Sequence, residues 1–226
     1  MFLVRSYKLE MMDNFSIEDK RIDSALDELK IINKYLGGIA TTEAAVNKIR
    51  QKKYLEGGLS VLDVGSGAAD ILTALKNKSK NLEITSIDIN KRATLYLKDQ
   101  TIIKNIICGD IKSNPFKDYK FDLVHASLFF HHFKEEDIRD ILSDLFQLCR
   151  YAIIVNDLRR SILALLGIKL LTLIFSKSEM VKNDAPLSVK RGFTKSELEN
   201  ILRVLNYKYT IKRKWAFRWC LIIYKH

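Results

Sequence analysis

The sequence has little cysteine, little proline and no apolar run long enough to cross a bilayer. Its 226 residues include three cysteines and two prolines. The cysteines are odd in number, widely spaced and without a CxxC pair, which argues against a disulfide framework or a zinc site and favours small buried side chains in a reducing compartment. Because prolines are so few and no repeat or low-complexity stretch is visible, we expect one domain without an internal linker.

The first residues also lack features of a targeting segment. The stretch MFLVRSYKLEMMD has neither the long apolar core nor the small-residue cleavage site of a signal peptide. Together with the cysteine pattern, this predicts a cytoplasmic protein.

The chain is basic but has no dense basic tract. It carries 38 lysine and arginine residues against 27 aspartate and glutamate residues, a formal net charge of +11. Such a charge can mark a protein that binds nucleic acid or an anionic membrane. Because the lysines are scattered along the whole chain, we favour a generally lysine-rich composition and do not expect nucleic acid as a partner.

Two helices are predicted before the first strand. Apolar residues recur at helical spacing over residues 16–36 and are followed by Gly37 and Gly38, which should end that helix. A second helix is predicted over residues 42–55. Residues 1–57 are therefore predicted to form a helical N-terminal extension or lid, and residues 58–226 to form the main domain.

The main domain alternates strands and helices. LSVLDV, LEITSIDI, TIIKNIIC, FDLVHAS and YAIIVNDL have the composition of buried strands, and helical patterns separate most of them. Repeated strand–helix–strand units predict an α/β fold with a parallel sheet covered by helices on both faces. KYTIKRKW and RWCLIIYKH have no helix between them and should pair as an antiparallel hairpin. The prediction is a Rossmann-like, seven-stranded, mostly parallel sheet with one antiparallel strand.

Acidic and glycine-rich segments follow the first three predicted strands. Asp63 precedes a turn with Gly65 and Gly67, which lack the Cβ that would keep a ligand away from the backbone. Asp88 ends the second strand, where an acidic side chain is suited to accept both hydroxyls of a ribose. Asp110 follows the third strand and could accept from an adenine amino group. Because parallel strands end at one edge of the sheet, these groups should lie together.

At these segments the chain resembles the class I S-adenosylmethionine-dependent methyltransferases over about residues 59–225. VLDVGSGAAD is similar to their motif I, ITSIDIN and CGDI to their ribose-side and adenine-side segments, and FDLVHASLFFHHF to their fourth motif. The resemblance implies S-adenosylmethionine as the cofactor. It also implies cofactor contacts by Asp63, Gly65, Ser66, Gly67, Asp88, Ile89, Asp110, Ile111 and Ser127. One departure is Ala69, which stands where the family has a third glycine. An NAD-dependent enzyme would instead favour a longer G-x-G-x-x-G fingerprint.

A narrower resemblance rests on SLFFHHF, VNDLRRS and PLSVKRGFT, together with the leading segment MMDN…LDELKIINKYLGG. These segments resemble a bacterial group whose genes often lie beside polyketide or aromatic-product genes, related in pattern to the quinone C-methyltransferases. The resemblance implies a small, hydrophobic, hydroxylated acceptor of phenolic, quinol or polyketide type. It favours methylation of oxygen over methylation of carbon and makes secondary metabolism the expected setting.

His131 and His132 follow the fourth strand and are candidate general bases for such a hydroxyl. Because adjacent side chains should point in different directions, we expect only one to reach the acceptor, and we prefer His131. The alternative is that both are packing or capping residues before the next helix. No metal is expected.

Polar residues after the fifth strand are candidates for holding the acceptor. Asn156 and Asp157 could orient it, and Arg159 or Arg160 could bind an anionic oxygen. Arg191 could form the opposite wall. The alternative for Arg159 and Arg160 is that they bind no acceptor and only begin the next helix, exposed to solvent. Residues 194–197 are better explained as a capping box that begins a helix.

Residues 161–175 form a nearly all-apolar helix that is too short to span a bilayer. Three interpretations remain open: core packing, the roof of an apolar acceptor pocket, or peripheral membrane contact with Lys169, Lys177 and Lys182 towards lipid headgroups. The aromatic residues over 215–219 are interpreted as hairpin packing.

The sequence as a whole predicts methyl transfer from S-adenosylmethionine to a small lipophilic hydroxylated acceptor. Two rival functions stay open: an RNA methyltransferase, prompted by the net charge, and a non-catalytic cofactor-binding regulatory subunit. Against RNA, HASLFF lacks the (N/D)PP(Y/F) segment common in enzymes that methylate nucleobase amines. The oligomeric state is left open.

Overall fold

A computed structural model of the chain describes residues 4–53, 55–79, 81–98, 102–116 and 119–225. Its sheet has seven strands in the order β3-β2-β1-β4-β5-β7-β6. The strands are β1 (Leu59–Val64), β2 (Leu82–Asp88), β3 (Asn105–Cys108), β4 (Phe121–Ser127), β5 (Cys149–Leu158), β6 (Lys208–Lys214) and β7 (Arg218–Tyr224). The first five strands pair in parallel, and β7 is antiparallel to both β5 and β6. The predicted sheet is confirmed, and the strand order reverses between β1 and β4.

Eight α-helices flank the sheet among the described residues. They are α1 (Lys20–Tyr35), α2 (Gly38–Lys53), α3 (Asp70–Ser79), α4 (Lys91–Leu97), α5 (Glu135–Leu148), α6 (Ile162–Phe175), α7 (Glu179–Arg191) and α8 (Lys195–Leu205). The capping box predicted at residues 194–197 is present, since the Thr194 hydroxyl accepts from the Glu197 amide at 3.3 Å. The pattern of the sequence had not predicted α7, whose interior contains Pro186.

The junction between α1 and α2 is set by Gly37. Its φ of +78° reverses the chain, and a Cβ there would lie 1.7 Å from the carbonyl oxygen of Trp215. Gly37 therefore ends α1, as the sequence predicted. Gly38 does not extend the break; it begins α2, which starts there instead of at Thr42 and ends at Lys53 instead of residue 55.

Two apolar layers hold the helices against the sheet. On one face α5 buries a stripe of side chains at helical spacing: Ile138, Ile141, Leu142, Leu145 and Leu148. On the other face Val46 and Ile49 of α2 and Leu72 of α3 pack on the strands. Each such aliphatic side chain contributes about 1.5–3 kcal/mol on full burial. A third cluster joins α1 to α7 through Ile22, Leu26 and Val181, and thereby covers the edge where the parallel strands end.

The apolar helix α6 does not pack in the core. Only Ala164 and Thr172 of this helix are buried, while most of its large apolar side chains face outwards. The interpretation of residues 161–175 as ordinary core packing is therefore wrong, because the sheet face is already covered by other helices.

Candidate active site

A cavity of about 340 Å³ lies at the edge where the parallel strands end. Its floor is formed by the segments that follow β1, β2, β3 and β4. Its cover is formed by residues 10–15, by α1 and by α7. Ligands of open α/β sheets bind outside the carboxyl ends of the strands where the strand order reverses, and the cavity lies at that place.

The glycine turn after β1 forms one wall of the cavity. Gly65 and Gly67 have φ values of +61° and +50°, a region that L-residues rarely adopt. A Cβ on Gly65 would lie 2.3 Å from the Phe129 ring, so the position also requires the smallest residue sterically. Ser66 lines the cavity between the two glycines. Ala69, at the position where the resembling family has glycine, is buried at φ +46°.

Asp88 at the end of β2 holds this turn and faces the cavity. Its two carboxylate oxygens accept from the backbone amides of Gly67 and Asn90, each at 2.8 Å. Burial raises the pKa of Asp88 above its ordinary value, and the two amide bonds oppose that rise. Each oxygen keeps a lone pair, so the carboxylate can still accept from a ligand.

Four more predicted cofactor residues line the same cavity: Ile89, Asp110, Ile111 and Ser127. Asp110 caps a short 3-10 turn by accepting from the Lys112 amide at 2.9 Å. The buried Ser127 hydroxyl has no hydrogen-bond partner among the described residues. Asp63 is placed differently. It lies outside the cavity lining, and its carboxylate is 2.7 Å from His125 Nδ1 within the core.

His131 and Asp157 form a buried pair beside the cavity. His131 Nδ1 lies 2.7 Å from the carboxylate of Asp157, which also accepts from the His131 backbone amide at 3.2 Å. Contact with His131 lowers the pKa of Asp157 in spite of its burial, so the carboxylate is ionised. The ionised carboxylate fixes the proton of a neutral imidazole on Nδ1. Nε2 then has a free lone pair, and no partner among the described residues occupies it.

His132 lies beside His131 instead of pointing away from it. The two rings are tilted by 34° to each other with centroids 4.2 Å apart, and both residues line the cavity. The expectation that the two adjacent side chains point in different directions is wrong, because the histidines lie in a 3-10 turn (Phe130–His132). That only one of them reaches the acceptor stays a prediction. His132 Nδ1 is held by Asp13 at 2.6 Å.

Glu10 and Asp13 belong to the site and were not predicted. Both line the cavity, and Glu10 Oε1 lies 3.7 Å from His131 Nε2. Burial raises the pKa of Glu10 to about 7. Burial also opposes ionisation of Asp13, but hydrogen bonds from His132 and Arg191 prevail and hold its pKa well below the ordinary value. The sequence offered one signal for these two residues. They are acids three residues apart, which is the spacing of the capping box that they form in the structure.

Arg191 supports the histidines from behind the cavity. Its Nε donates to the His131 carbonyl at 3.1 Å, Nη2 to the His132 carbonyl at 2.8 Å, and Nη1 to Asp13 at 2.5 Å. Arg191 is outside the cavity lining. Its side chain therefore positions the histidine turn. Contrary to the prediction from the sequence, the structure does not place Arg191 where it could contact an acceptor in the cavity.

The other predicted acceptor residues also bond within the fold. The Asn156 amide donates to Gly38 O and Thr42 Oγ1 at 2.8 and 3.0 Å. Arg160 donates to Glu197 at 2.6 Å and is buried, so the idea of an exposed arginine pair is wrong for this residue. Arg159 is half-buried over the Phe217 ring. None of these three lines the cavity. Asp157 does not line it either, but it holds His131, which does.

Glu10, His131 and His132 also form the one group, within the described ranges, whose ligand atoms all lie within 4.8 Å of one another, as a metal site would require. The Arg191 guanidinium lies 3.6 Å from Glu10 Oε1 and already supplies a positive charge there. This charge disfavours a second cation. The expectation that no metal is used stays a prediction.

Comparison with known proteins agrees with this geometry. Residues 61–151, from β1 into β5, match the family model described as methyltransferase domain. The sheet order and the antiparallel final strands are those of the class I fold. Over residues 61–151 the chain is similar to methyltransferase domains, and its sheet has the class I arrangement. The predicted resemblance is thus confirmed at the level of the class.

Solved structures match the methyltransferase domain over nearly its whole length. The plantazolicin methyltransferase BpumL, crystallised with a pentazolic desmethylPZN analog and SAH, aligns with a TM-score of 0.72 at 19% identity, covering 94% of this chain and 93% of that one. Magnesium protoporphyrin IX methyltransferase from Synechocystis PCC 6803, with bound SAH, aligns at 0.61 and 14% identity, covering 95% and 100%. At these identities the likeness concerns the fold.

Curated relatives match the methyltransferase domain over a shorter stretch. A demethylmenaquinone methyltransferase from Thermotoga maritima is 31% identical over 75 residues, which is 33% of this chain and 33% of the relative. The chain therefore spans about a third of the length of that relative. Within the part of the chain that the structure describes, no helix is both long and apolar enough to cross a membrane.

Proposed function

We propose that this protein transfers the methyl group of S-adenosylmethionine to a hydroxyl oxygen of a small lipophilic acceptor. One observation carries the proposal. A single cavity is lined both by the glycine turn with Asp88 and by His131, whose buried Nε2 has no hydrogen-bond partner among the described residues. A methyl donor held at the first and an acceptor held at the second would share one enclosed space.

The donor half is built from the turn and three strand ends. Asp88 offers carboxylate lone pairs to the ribose hydroxyls, Asp110 can accept from the adenine amino group, and Ile89 and Ile111 supply apolar surface for the ring. Ser66 and Gly67 bring the backbone close to the rest of the molecule. Solved neighbours of the same fold hold SAH, which supports S-adenosylmethionine as the cofactor here.

The acceptor half is mostly apolar. Met12 and Phe15 from the N-terminal segment, Leu29 from α1, Phe133 and Val181 line this side of the cavity. Such walls favour a lipophilic ring or chain, with the polar group directed at the histidines. The relative that acts on demethylmenaquinone supports a quinol or another hydroxylated aromatic acceptor.

Methyl transfer in this site needs positioning and one proton acceptor. The carbon–sulfur bond of the donor breaks as the carbon–oxygen bond forms, and the acceptor hydroxyl loses its proton. His131 Nε2 is the base that takes this proton, because Nδ1 is held by Asp157 at 2.7 Å. The ionised Asp157 then stabilises the imidazolium. Glu10 Oε1, 3.7 Å from Nε2, adds to that stabilisation when it is ionised.

The test measures binding and turnover separately. Asp88→Ala should weaken S-adenosylmethionine binding by about 100-fold in calorimetry, since charge-assisted hydrogen bonds to the ribose are lost. His131→Ala should leave that affinity unchanged and lower kcat for a phenolic or quinol acceptor by about 10²–10⁴-fold. His132→Ala is the matched control and should lower kcat less.

Three outcomes would contradict the proposal. An unchanged affinity in Asp88→Ala would remove the cofactor assignment. Full turnover in His131→Ala would remove the base. Cofactor binding without turnover of any acceptor by the parent protein would favour the non-catalytic regulatory subunit.

A further inference from the structure

The outward face of α6 is an unusual apolar surface. Seven of its side chains are 58–74% exposed: Ile162, Leu163, Leu166, Leu170, Leu173, Ile174 and Phe175. Six of them, all but Phe175, lie within about a third of the helix circumference at 3.6 residues per turn, and Phe175 stands at the exposed C-terminal end of the helix. Soluble monomers rarely expose an apolar patch of more than a few hundred Å² unless a partner covers it.

The length of α6 decides how it could meet a membrane. Its 14 residues make a helix about 21 Å long, shorter than the hydrocarbon core of about 30 Å. The helix is also fixed along its inner side, where Ala164 and Thr172 are buried. If α6 binds a membrane, it therefore lies in the interface and does not span the bilayer.

Lysine side chains border the apolar face. Lys169 lies within α6 and Lys177 directly after it, and Lys8, Lys169, Lys182 and Lys190 line a groove beside the helix. Lys182 pairs with Glu179 at 2.7 Å. Among the residues that the structure describes, the other lysines of this set take part in no ion pair. Unpaired cations beside an apolar surface complement anionic headgroups above an acyl layer.

From this geometry we propose that α6 and the lysines around it bind the surface of a bilayer that contains anionic lipids. A second copy of the chain would fit the apolar face less well. A two-fold contact through the middle of α6 would bring the Lys169 side chains of two molecules near each other, and each molecule carries a net charge of +11. An anionic bilayer satisfies both the apolar side chains and the charge.

Helix α7 links this surface to the cavity. Lys182 and Lys190 line the groove, whereas Val181, Asp184 and Ser188 of the same helix line the cavity. A molecule bound through α6 would therefore hold the cover of its cavity next to the lipid headgroups. The binding itself does not depend on the proposed reaction, so it can be measured without turnover.

The experiment is co-sedimentation of the full chain with vesicles of phosphatidylcholine, alone or with phosphatidylglycerol. Binding is expected only with the anionic lipid and should weaken as salt is raised. Leu166→Ser/Leu173→Ser should reduce it by at least about tenfold, since two apolar side chains are lost from the interface. The matched control is Ile31→Ser/Val204→Ser, two exposed apolar residues elsewhere.

A second pair of double variants tests the position of the charges, because each variant removes the same number of positive charges. Lys169→Gln/Lys177→Gln should weaken binding several-fold, while Lys208→Gln/Lys212→Gln on the edge strand β6 should not. Equal losses in both pairs would reduce the effect to overall charge and overturn the proposal. Absence of binding to anionic vesicles would also overturn it. A dimer that dissociates in Leu166→Ser/Leu173→Ser, measured by light scattering, would identify a second copy as the occupant instead.

Discussion

At the scale of single residues, the site depends on carboxylates that fix imidazoles. His131 would be an ordinary buried histidine without Asp157, which holds Nδ1 and leaves Nε2 without a hydrogen-bond partner among the described residues. Glu10 stands on the other side of the same ring. Asp157 fixes the orientation of the ring, and a carboxylate on either side can stabilise the positive charge that a proton brings to it.

The raised pKa of Glu10 predicts a pH dependence of stability. Burial raises this pKa to about 7 from its ordinary value of 4.5, so the folded state holds the proton more tightly than the unfolded chain. The stabilisation is complete below the unfolded pKa and is lost as pH rises through the folded one. Between about pH 5.5 and 8, the wild type should lose about 2 kcal/mol more unfolding free energy than Glu10→Gln. Urea denaturation at the two pH values measures it.

The control for this prediction is Glu18→Gln, an acid with half of its side chain exposed. It should retain the pH dependence of the wild type. If Glu10→Gln also retained that dependence, Glu10 would not be titrating in this range and the pH dependence would have another source.

At the scale of the elements, the N-terminal helices are joined to the sheet by a buried arginine. Arg218 at the start of β7 donates to Leu36 O at 2.9 Å, Asn156 Oδ1 at 3.1 Å and Asn33 Oδ1 at 2.8 Å. Burial lowers the pKa of Arg218 to about 10, which leaves it charged at neutral pH. Asn33 also lines the cavity, so the same bonds position α1 as its cover.

Replacement of Arg218 should therefore loosen α1 and destabilise the fold. Arg218→Met keeps much of the volume but leaves the side-chain oxygens of Asn33 and Asn156 unpaired, while Leu36 O keeps its bond from the Ala216 amide. We expect the unfolding free energy to fall by about 3 kcal/mol. Arg213→Met, on the exposed part of β6, should change it by less than about 0.5 kcal/mol. A loss below about 1 kcal/mol in Arg218→Met, measured by chemical denaturation, would mean that water replaces the guanidinium.

The elements that the sequence predicted well are those with a local cause. Strand–helix alternation follows from patterning, the turn at Gly65 from its conformational freedom, and the end of α1 from Gly37. The hydrogen-bond partners of Asn156, Arg160 and Arg191 could not be predicted from local sequence. Their hydrogen bonds join segments 30 or more residues apart, and an arginine or asparagine at a strand end looks the same whether it faces a ligand or the protein.

At the scale of the whole molecule, three separate segments close one cavity. Residues 10–15, α1 and α7 come together over the strand ends, although they are widely spaced in the chain. The sequence predicted a lid from residues 1–57. It could not predict that Glu10 would reach His131, because that contact depends on how the lid docks on the sheet. The predicted boundary at residue 57 stays a prediction, and α2 packs on β5 and β7.

The enclosed site also bears on RNA as a substrate. The net charge of +11 should give the protein some affinity for any polyanion, and this affinity should fall steeply with salt. Methylation requires more than this affinity, because the target atom must approach Nε2 of His131. The residue His131 is only 2% exposed. A nucleobase would have to leave its strand and enter beneath residues 10–15 and α1, at the cost of unstacking.

We therefore expect radiolabelled methyl groups to appear in an organic extract and not in RNA. The assay gives the protein labelled S-adenosylmethionine with total RNA or with a mixture of phenols and quinols, at low and at physiological salt. RNA that binds at low salt without gaining label would show that its attraction is electrostatic only. Label in RNA that disappears in His131→Ala, with none in the organic extract, would replace the lipophilic acceptor with a nucleic acid, since only the identity of the molecule entering the cavity would have changed.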